Sequence, residues 1–289
     1  MNILVTGSHG QLGTHLQLSS ARFSEAFFFT DIDTLDITND IDVQSFLSHH
    51  NIDVVINCAA YTNVDKAEEE ESQADKVNHQ AVKILAEACH THNATLVHIS
   101  TDYVFGGNKN NTPCTEMQPT NPTGAYGRTK LLGENAIINS GCRYLIIRTS
   151  WLYSEFGKNF VRTMLNVTGS KKTCKVVYDQ IGTPTYAGDL AQAILHIVSA
   201  GIDECSQGIY NYSNEGVCSW FDFTHEIARQ AGHTECDIQP CLSSEYPSTV
   251  IRPAYSVLDK SKIKQTFGLK IPYWTLSLAQ CIQNLQKQA

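Results

Sequence analysis

The sequence has no run of about 18 consecutive apolar residues, the length a helix needs to cross a bilayer, so no transmembrane helix is expected. It opens on MNILVTG, with neither a basic segment nor a small-residue cleavage site, and no secretory leader is expected. It has no excess of positive charge: 21 Lys and Arg stand against 29 Asp and Glu, a net charge of −8. That balance argues against a nucleic-acid partner, which requires a basic stripe, but leaves room for a local phosphate pocket. It also lacks C-x-x-C and H-E-x-x-H. The ten cysteines are scattered singly from Cys58 to Cys281, and they read as reduced, mostly buried thiols of a cytoplasmic protein. The eleven histidines form no ligating motif, so no metal is expected.

What is present is enough for a core. The chain has 289 residues, 42% hydrophobic and 17% charged, which suits one large domain or two small ones. Five apolar runs read as strands: 2–6, 26–30, 53–60, 95–101 and 143–151. Helical spacing separates them. NDIDVQSFLSHHN places Ile41, Phe46 and Leu47 on one side. DKVNHQAVKILAEACHTHN places Val77, Ala81, Ile84, Leu85 and Ala88 on one face. AYGRTKLLGENAI follows Pro122, with Leu131, Leu132 and Ile137 turned to a core. The glutamate run in AEEEES (67–72) reads as a solvated first turn of a helix, favoured there by the helix dipole. Near-continuous apolar strands alternating with helices imply a parallel sheet covered on both faces.

The first turn is the most informative. In GSHGQLG, Gly7, Gly10 and Gly13 follow a strand directly and open a helix. Glycines there permit a tight turn and let backbone N–H groups approach a pyrophosphate at the helix N-terminus. Asp31, at the end of the second strand, is placed to hydrogen-bond a ribose 2′-hydroxyl. The fold class expected is therefore α/β: a Rossmann-type doubly wound parallel sheet over 1–150, a dinucleotide-binding domain, with a smaller C-terminal substrate-binding subdomain over 151–289. Some segments of the second half are expected to return to the sheet. After Trp151 the alternation weakens: CKVVYDQIG gives a sixth strand, GIYNYSN a further short one, and SWFDFTHEIARQAG a helix with Ser219 as N-cap and Asp222 in its first turn. This half reads as a lid, with the ligand cleft between it and the sheet.

Tyr126 and Lys130 lie four residues apart in GAYGRTK. On a helix they share a face, where an ammonium lowers a phenol's pKa and suits it to exchange a proton with an alcohol or alkoxide. Taken alone, that spacing is common and carries little. Several longer motifs give it context: NCAAYTNVDKAE (57–68), HISTDYVFGG (98–107), PTGAYGRTKLLGE (122–134), RTSWLY (148–153), GKNFVRTML (157–165), DQIGTPT (179–185) and RPAYSVLD (252–259). With the glycine turn, this ordered set resembles the extended short-chain dehydrogenase/reductase family and, within it, the dTDP-4-dehydrorhamnose reductases, from Met1 to about Trp274.

The resemblance implies reduction of the C4 keto group of dTDP-4-dehydro-L-rhamnose with NADPH or NADH. It implies Tyr126 as proton donor, Lys130 as the group that lowers its pKa and holds the nicotinamide ribose, and Thr101 as the group that orients the keto oxygen. It implies sugar contacts from Asp102 and Trp151, with Thr62 and Val64 nearby. For the cofactor it implies Gly7, Gly10, Gln11, Leu12, Gly13, Asp31, Asp36, Ile37, Ala59, Ala60, Tyr61 and Asn78, besides Tyr126 and Lys130. Arg252 suits the substrate pyrophosphate on chemical grounds, since a guanidinium fork matches phosphate oxygens. Two positions depart from the family pattern. His15 stands where some members carry a glutamate that joins a metal-bridged dimer, so a monomer or a homodimer without metal is expected; Tyr61 stands where a histidine is common. Asp31, with no Arg or Lys between Arg22 and Lys66, favours NADH, whereas the family accepts NADPH. Other readings are a different nucleotide-sugar reductase, an epimerase, or a non-catalytic regulatory subunit related to that of methionine adenosyltransferase. A dehydratase is disfavoured, because Thr101-Asp102 is followed by Tyr103 rather than Glu.

Overall fold

In the computed structural model, which describes residues 1–288, the first half supplies β1 (Asn2–Thr6), β2 (Ala26–Thr30), β3 (Val54–Asn57), β4 (Thr95–Thr101) and β5 (Arg143–Thr149). Later come β6 (Leu152–Tyr153), β7 (Thr173–Val177), β8 (Ile181–Gly182), β9 (Thr185–Tyr186), β10 (Gly208–Asn211), β11 (Cys218–Ser219) and β12 (Asp237–Cys241). The helices are α1 (Gln11–Ser20), α2 (Asp40–His49), α3 (Glu71–Asp75), α4 (Ala81–Thr91), α5 (Ala125–Asn139), α6 (Phe160–Ser170), α7 (Ala187–Ala200), α8 (Trp220–Ala231), α9 (Ser261–Phe267) and α10 (Trp274–Gln288).

Six strands form one parallel sheet in the order β10-β5-β4-β3-β1-β2. The chain leaves β1 for β2 on one side and returns to β3 on the other, so the order reverses at the carboxyl ends of β1 and β3, where open α/β sheets bind ligands. Alternate residues of β1 serve two cores. Ile3 and Val5 pack with Leu12 and Leu16 of α1 and Leu190 and Ile194 of α7. Leu4 packs with Val43 and Leu47 of α2 and Val82 and Leu85 of α4. Burial on both faces explains the continuous apolar strands. A third core, including Tyr153, Phe223, Trp274 and Leu278, lies in the C-terminal segments. Ser219 and Asp222 cap α8 reciprocally, N–H to side chain at 3.0 and 2.9 Å.

Several sequence-based expectations need correction. The strand read over 143–151 stops at Thr149, because Trp151 takes a φ of +49° and turns the chain. The strand expected from CKVVYDQIG is β7, but it pairs with β12 outside the main sheet, and β10 is the sheet's sixth strand. Ile41 is 78% exposed: Asn39 caps α2, and the inward row starts at Val43 and continues to Leu47. Leu132 is 43% exposed, because the inward row of α5 runs through Lys130, Gly133, Glu134 and Ile137, two of them charged. The glutamate run is not simply solvated. Glu68 accepts the Ala125 N–H at 2.6 Å and so caps α5, whose N-cap Gly124 has no side chain to do it. Glu71 pairs with Arg128 at 2.9 Å.

Two buried contacts fix the frame. Glu134 of α5 takes Arg148 of β5 in two-pronged fashion, at 2.6 Å for the shortest arm, and accepts the Ser100 hydroxyl of β4 at 2.5 Å. His15 of α1 meets Glu155 at 3.1 Å, and Glu155 also accepts from Tyr186 and Asn284, tying the sheet to the C-terminal segments. His15 is thus an interior residue. Among the described residues no helix is long and apolar enough to cross a membrane, and no group of three His, Cys, Asp or Glu side chains could hold a metal ion.

Removing one member of a buried ion pair strands the other in a medium of low dielectric constant. Glu134→Ala is therefore expected to lower unfolding free energy by about 3–5 kcal/mol, read by urea denaturation. A loss below about 1 kcal/mol, the range of a surface pair, would contradict that role.

Candidate active site

The carboxyl ends of β1, β3 and β4 open into one groove. Gly7 takes a φ of +67°, and the Gly10 N–H closes the turn on the Gly7 carbonyl at 3.1 Å. A Cβ at Gly7 would stand 2.6 Å from the Ala59 backbone nitrogen, and one at Gly13 would collide with the Gly7 carbonyl. The glycines thus do two jobs: Gly7 lets the turn pass under the segment after β3, and Gly13 lets α1 start against the turn. The first turn of α1, with Gln11, Leu12 and Gly13, lines a cavity of about 600 Å³, so the helix N-terminus and its unpaired N–H groups face that space. A neighbouring cavity of about 380 Å³ shares Gly7, Gly10 and Ala60 with it and is lined further by Asp31, Asp36, Ile37 and Ala59. Together they form a groove across the switch point that fits a dinucleotide: a glycine cradle in the middle, a carboxylate at one end.

Asp31 sits at that end with its oxygens accepting the His9 and Ile32 N–H groups at 2.9 Å each. Asp36 accepts the N–H and hydroxyl of Thr38, which hold its carboxyl below its ordinary value. Gln11 accepts from Ser154 and Asn159 at 3.1 and 2.9 Å and so anchors the loop after β6 to the turn. Two expected cofactor residues face elsewhere. The Tyr61 hydroxyl donates to Glu70 at 2.5 Å, and that bond raises its pKa to about 12. Asn78 is fully buried in a π turn at Lys76–Gln80, joined to the Tyr61 backbone in both directions at 2.9 and 3.0 Å. It shapes the segment 59–62 from behind.

At the other end of the groove, Thr101, Asp102, Tyr126, Lys130 and Trp151 come together around the larger cavity, with Thr62 and Val64 on its wall. Thr101 ends β4, accepts the Tyr103 N–H at 3.2 Å and donates to Asp102 at 3.2 Å. Burial pushes the Tyr126 phenol well above its ordinary pKa, with a hydrogen bond from Thr101 acting against it and the charges at Asp102 and Tyr103 adding to it. Burial pushes Lys130 down to about 8, against the charges of Glu134 and Cys58. Burial likewise raises Asp102 to about 6, opposed by hydrogen bonds from Ser256 and Thr101. Its Oδ2 is buried with no partner.

The expected tuning of Tyr126 by Lys130 is corrected here. The two residues share α5, but the lysine Nζ turns to the Ile99 carbonyl at 2.6 Å and His98 Nε2 at 3.2 Å. The phenol is held up by its removal from water and keeps its proton through neutral pH, which suits it to give a proton rather than take one.

Arg252 lies outside this groove. It holds Asp65 with two contacts at 2.8 and 2.9 Å, donates to the Tyr103 hydroxyl at 3.1 Å, and lines a separate cavity of about 530 Å³ with Lys175, Gln180 and Trp220. The rings of Trp151 and Trp220 stack at 3.5 Å between the two cavities. Lys175, Gln180 and Trp220 carry no assignment from sequence. Gln180 stands inside DQIGTPT, a stretch singled out as a whole, whereas nothing in the spacing around Trp220 distinguishes it from a core residue.

Comparison with known proteins agrees with this site. The family model described as "RmlD substrate binding domain" matches residues 1–287. A curated dTDP-4-dehydrorhamnose reductase of Aggregatibacter actinomycetemcomitans is 37% identical over 96% of each chain. The crystal structure of a dTDP-4-dehydrorhamnose reductase from Clostridium acetobutylicum superposes with a TM-score of 0.94 at 42% identity, covering 99% of this chain and 100% of that one. A Bacillus anthracis dTDP-4-dehydrorhamnose reductase in complex with NADP gives 0.92 at 34% identity, covering 98% and 99%.

The glycine turn generates a direct expectation. Gly7→Ala places a side chain in a left-handed conformation and against the Ala59 backbone, at a cost of about 1–3 kcal/mol, and it closes the cradle. NADPH binding followed by nucleotide fluorescence should be lost while a folded circular dichroism spectrum remains. Binding at wild-type affinity would refute the cradle.

Proposed function

Because the chain belongs to the family of the RmlD substrate binding domain, across residues 1–287, we propose that it reduces the C4 keto group of dTDP-4-dehydro-L-rhamnose to give dTDP-L-rhamnose, with NADPH or NADH as reductant. The observation that carries the reading is the meeting of Thr101, Tyr126 and a glycine cradle in one groove at the sheet's switch point.

The bound nicotinamide supplies a hydride to C4. The chain's own residues do the rest. Gly7, Gly10 and the first turn of α1 hold the pyrophosphate of the cofactor, and Asp31 takes a ribose hydroxyl. Two fixed N–H donors orient Asp31. That carboxylate suits NADH, whereas the NADP complex of the Bacillus anthracis relative supports NADPH, and both are assigned. Tyr126, a neutral phenol, gives its proton to the C4 oxygen as the alkoxide forms, and the Thr101 hydroxyl orients that oxygen. Asp102 Oδ2, buried and unpartnered, accepts a sugar hydroxyl, and Trp151 walls the ring. In the outer cavity Arg252 and Lys175 supply positive charge for the substrate pyrophosphate, and Trp220 offers a face to the base.

The partner is the nucleotide sugar. The chain is assigned as a monomer or homodimer without a metal bridge through α1, since His15 is turned inward on Glu155. A cytoplasmic location is supported by ten free thiols. An epimerase would keep its nicotinamide bound through each cycle, and a regulatory subunit would not need an intact Thr101, Tyr126 and Lys130.

Tyr126→Phe removes the proton donor and leaves the ring. It should lower kcat by about 10²–10⁴-fold in NADPH and NADH oxidation assays with the 4-keto sugar nucleotide, with NADPH affinity preserved. Wild-type turnover in the variant would overturn the assignment of the acid.

A further inference from the structure

The segment after β3 puts Asp65 and the four glutamates 68–71 along one lip of the groove. Three of the glutamates are employed within their own half: Glu68 caps α5, Glu70 accepts the Tyr61 hydroxyl, and Glu71 pairs with Arg128. Asp65 reaches across instead. Its side chain makes no capping hydrogen bond in its own turn, and both its oxygens go to Arg252, 187 residues further along the chain. The pair stands where the two cavities adjoin. Val64 and Tyr103 line the larger one, and Arg252 lines the outer one while donating to the Tyr103 hydroxyl at 3.1 Å. The backbone around Arg252 is held by other contacts. The Ile251 carbonyl accepts the Thr123 hydroxyl at 3.2 Å, and the Ala254 carbonyl accepts the Ile181 N–H at 2.9 Å. Arg252 therefore keeps its place without Asp65.

The way the arginine is held decides what it can bind. A guanidinium offers two forks of parallel N–H groups, Nε with Nη2 and Nη1 with Nη2. Both forks need Nη2. Here Nη2 donates to Asp65 Oδ1 at 2.9 Å and to Oδ2 at 2.8 Å, which engages both of its protons, and Nη1 donates to Tyr103. A phosphate can take neither fork while Asp65 stays in place. The contact is one that a ligand can break. The Asp65 side chain is 51% exposed, so water takes over the carboxylate when it lets go. The Glu134–Arg148 pair, with both members buried, has no such exit.

We propose that Asp65 sets the affinity for the nucleotide sugar: it fills the Arg252 fork in the free chain, and the substrate diphosphate must displace it to bind. The inference rests on the reading above, in which Arg252 takes that diphosphate. The exchange is anion for anion. Phosphate oxygens replace carboxylate oxygens on Nη2, and Asp65 turns to water, so neither the arginine nor the aspartate is left buried and unpaired. A competitor built into the chain reduces the population ready to bind, and apparent affinity falls with it. The reduction applies to every ligand that engages Arg252 and to none that does not. NADPH, placed at the glycine turn and Asp31, does not engage it.

The experiment is isothermal titration calorimetry on the full chain with dTDP, UDP and NADPH, in the wild type, Asp65→Asn, Arg252→Ala and the double variant. Asp65→Asn keeps the shape of the side chain and removes its charge. It is expected to bind dTDP about 2–5-fold more tightly than the wild type, the equivalent of an exposed ion pair, with NADPH affinity unchanged. In the Arg252→Ala background the same substitution should gain almost nothing, because no fork is freed. Unchanged or weaker dTDP binding by a folded Asp65→Asn variant overturns the proposal; weaker binding would make Asp65 a support that aims Arg252. An equal gain in both backgrounds also overturns it, since plain charge repulsion then accounts for the effect. The failure of the underlying reading looks different. Wild-type dTDP affinity in Arg252→Ala removes the diphosphate from Arg252, whereas the expected gain seen with UDP in place of dTDP sinks the thymidine assignment alone and leaves the role of Asp65 intact.

Discussion

A lysine and a glutamate turned inward on one helix are the constraint around which this structure is arranged. Lys130 and Glu134 lie on the buried row of α5, where unpaired charge is costly. Each finds its partners on the sheet: Arg148 and Ser100 for the glutamate, the Ile99 carbonyl and His98 for the lysine. The sheet is thereby committed to polar residues at the carboxyl ends of β4 and β5. The helix is locked in one rotational setting, and Tyr126 at its first turn is aimed with it. Glu68 completes the setting by capping the start of α5 from a segment remote in sequence.

The rest of the site follows from the sheet's reversal of order. The carboxyl ends of β4 and β5 that hold α5 lie on the β3 side of the switch point between β1 and β3, where the glycine turn leaves the groove open. The groove therefore runs from a carboxylate that suits a ribose to a phenol that suits an alkoxide. Removal from water has opposite effects on the two groups at the chemical end, raising Tyr126 and lowering Lys130. Both shifts favour the uncharged form, and a protonated phenol is what the reductive direction needs. The C-terminal segments add the tryptophan pair and a second, more basic cavity, with the stacked rings of Trp151 and Trp220 between the two cavities.

Much of this was legible in the residues. The strands of the first half, the glycine turn and the i, i+4 relation of Tyr126 and Lys130 depend on local spacing, and local spacing is what a sequence displays. The errors share a different cause. Leu132 reads as inward because apolar residues usually are, but Lys130 and Glu134 hold that row through partners on β4 and β5. Ile41 reads as inward from its helical spacing, but the cap at Asn39 sets which row of α2 faces the sheet. Tyr61 is bound to Asn78 through its backbone and to Glu70 through its hydroxyl, contacts between segments that no periodicity reports. Trp220 gave no local signal, since its role comes from the ring of Trp151 stacked on it.

The most direct measurement of the central claim is hydride tracing. The purified protein would be given the 4-keto sugar nucleotide and NADPH deuterated at the transferred position, and the product read by NMR. Deuterium at C4 of a 6-deoxyhexose nucleotide, one per NADPH consumed, is the expected result. Product without deuterium, or interconversion of sugars with no net consumption of added NADPH, would contradict it.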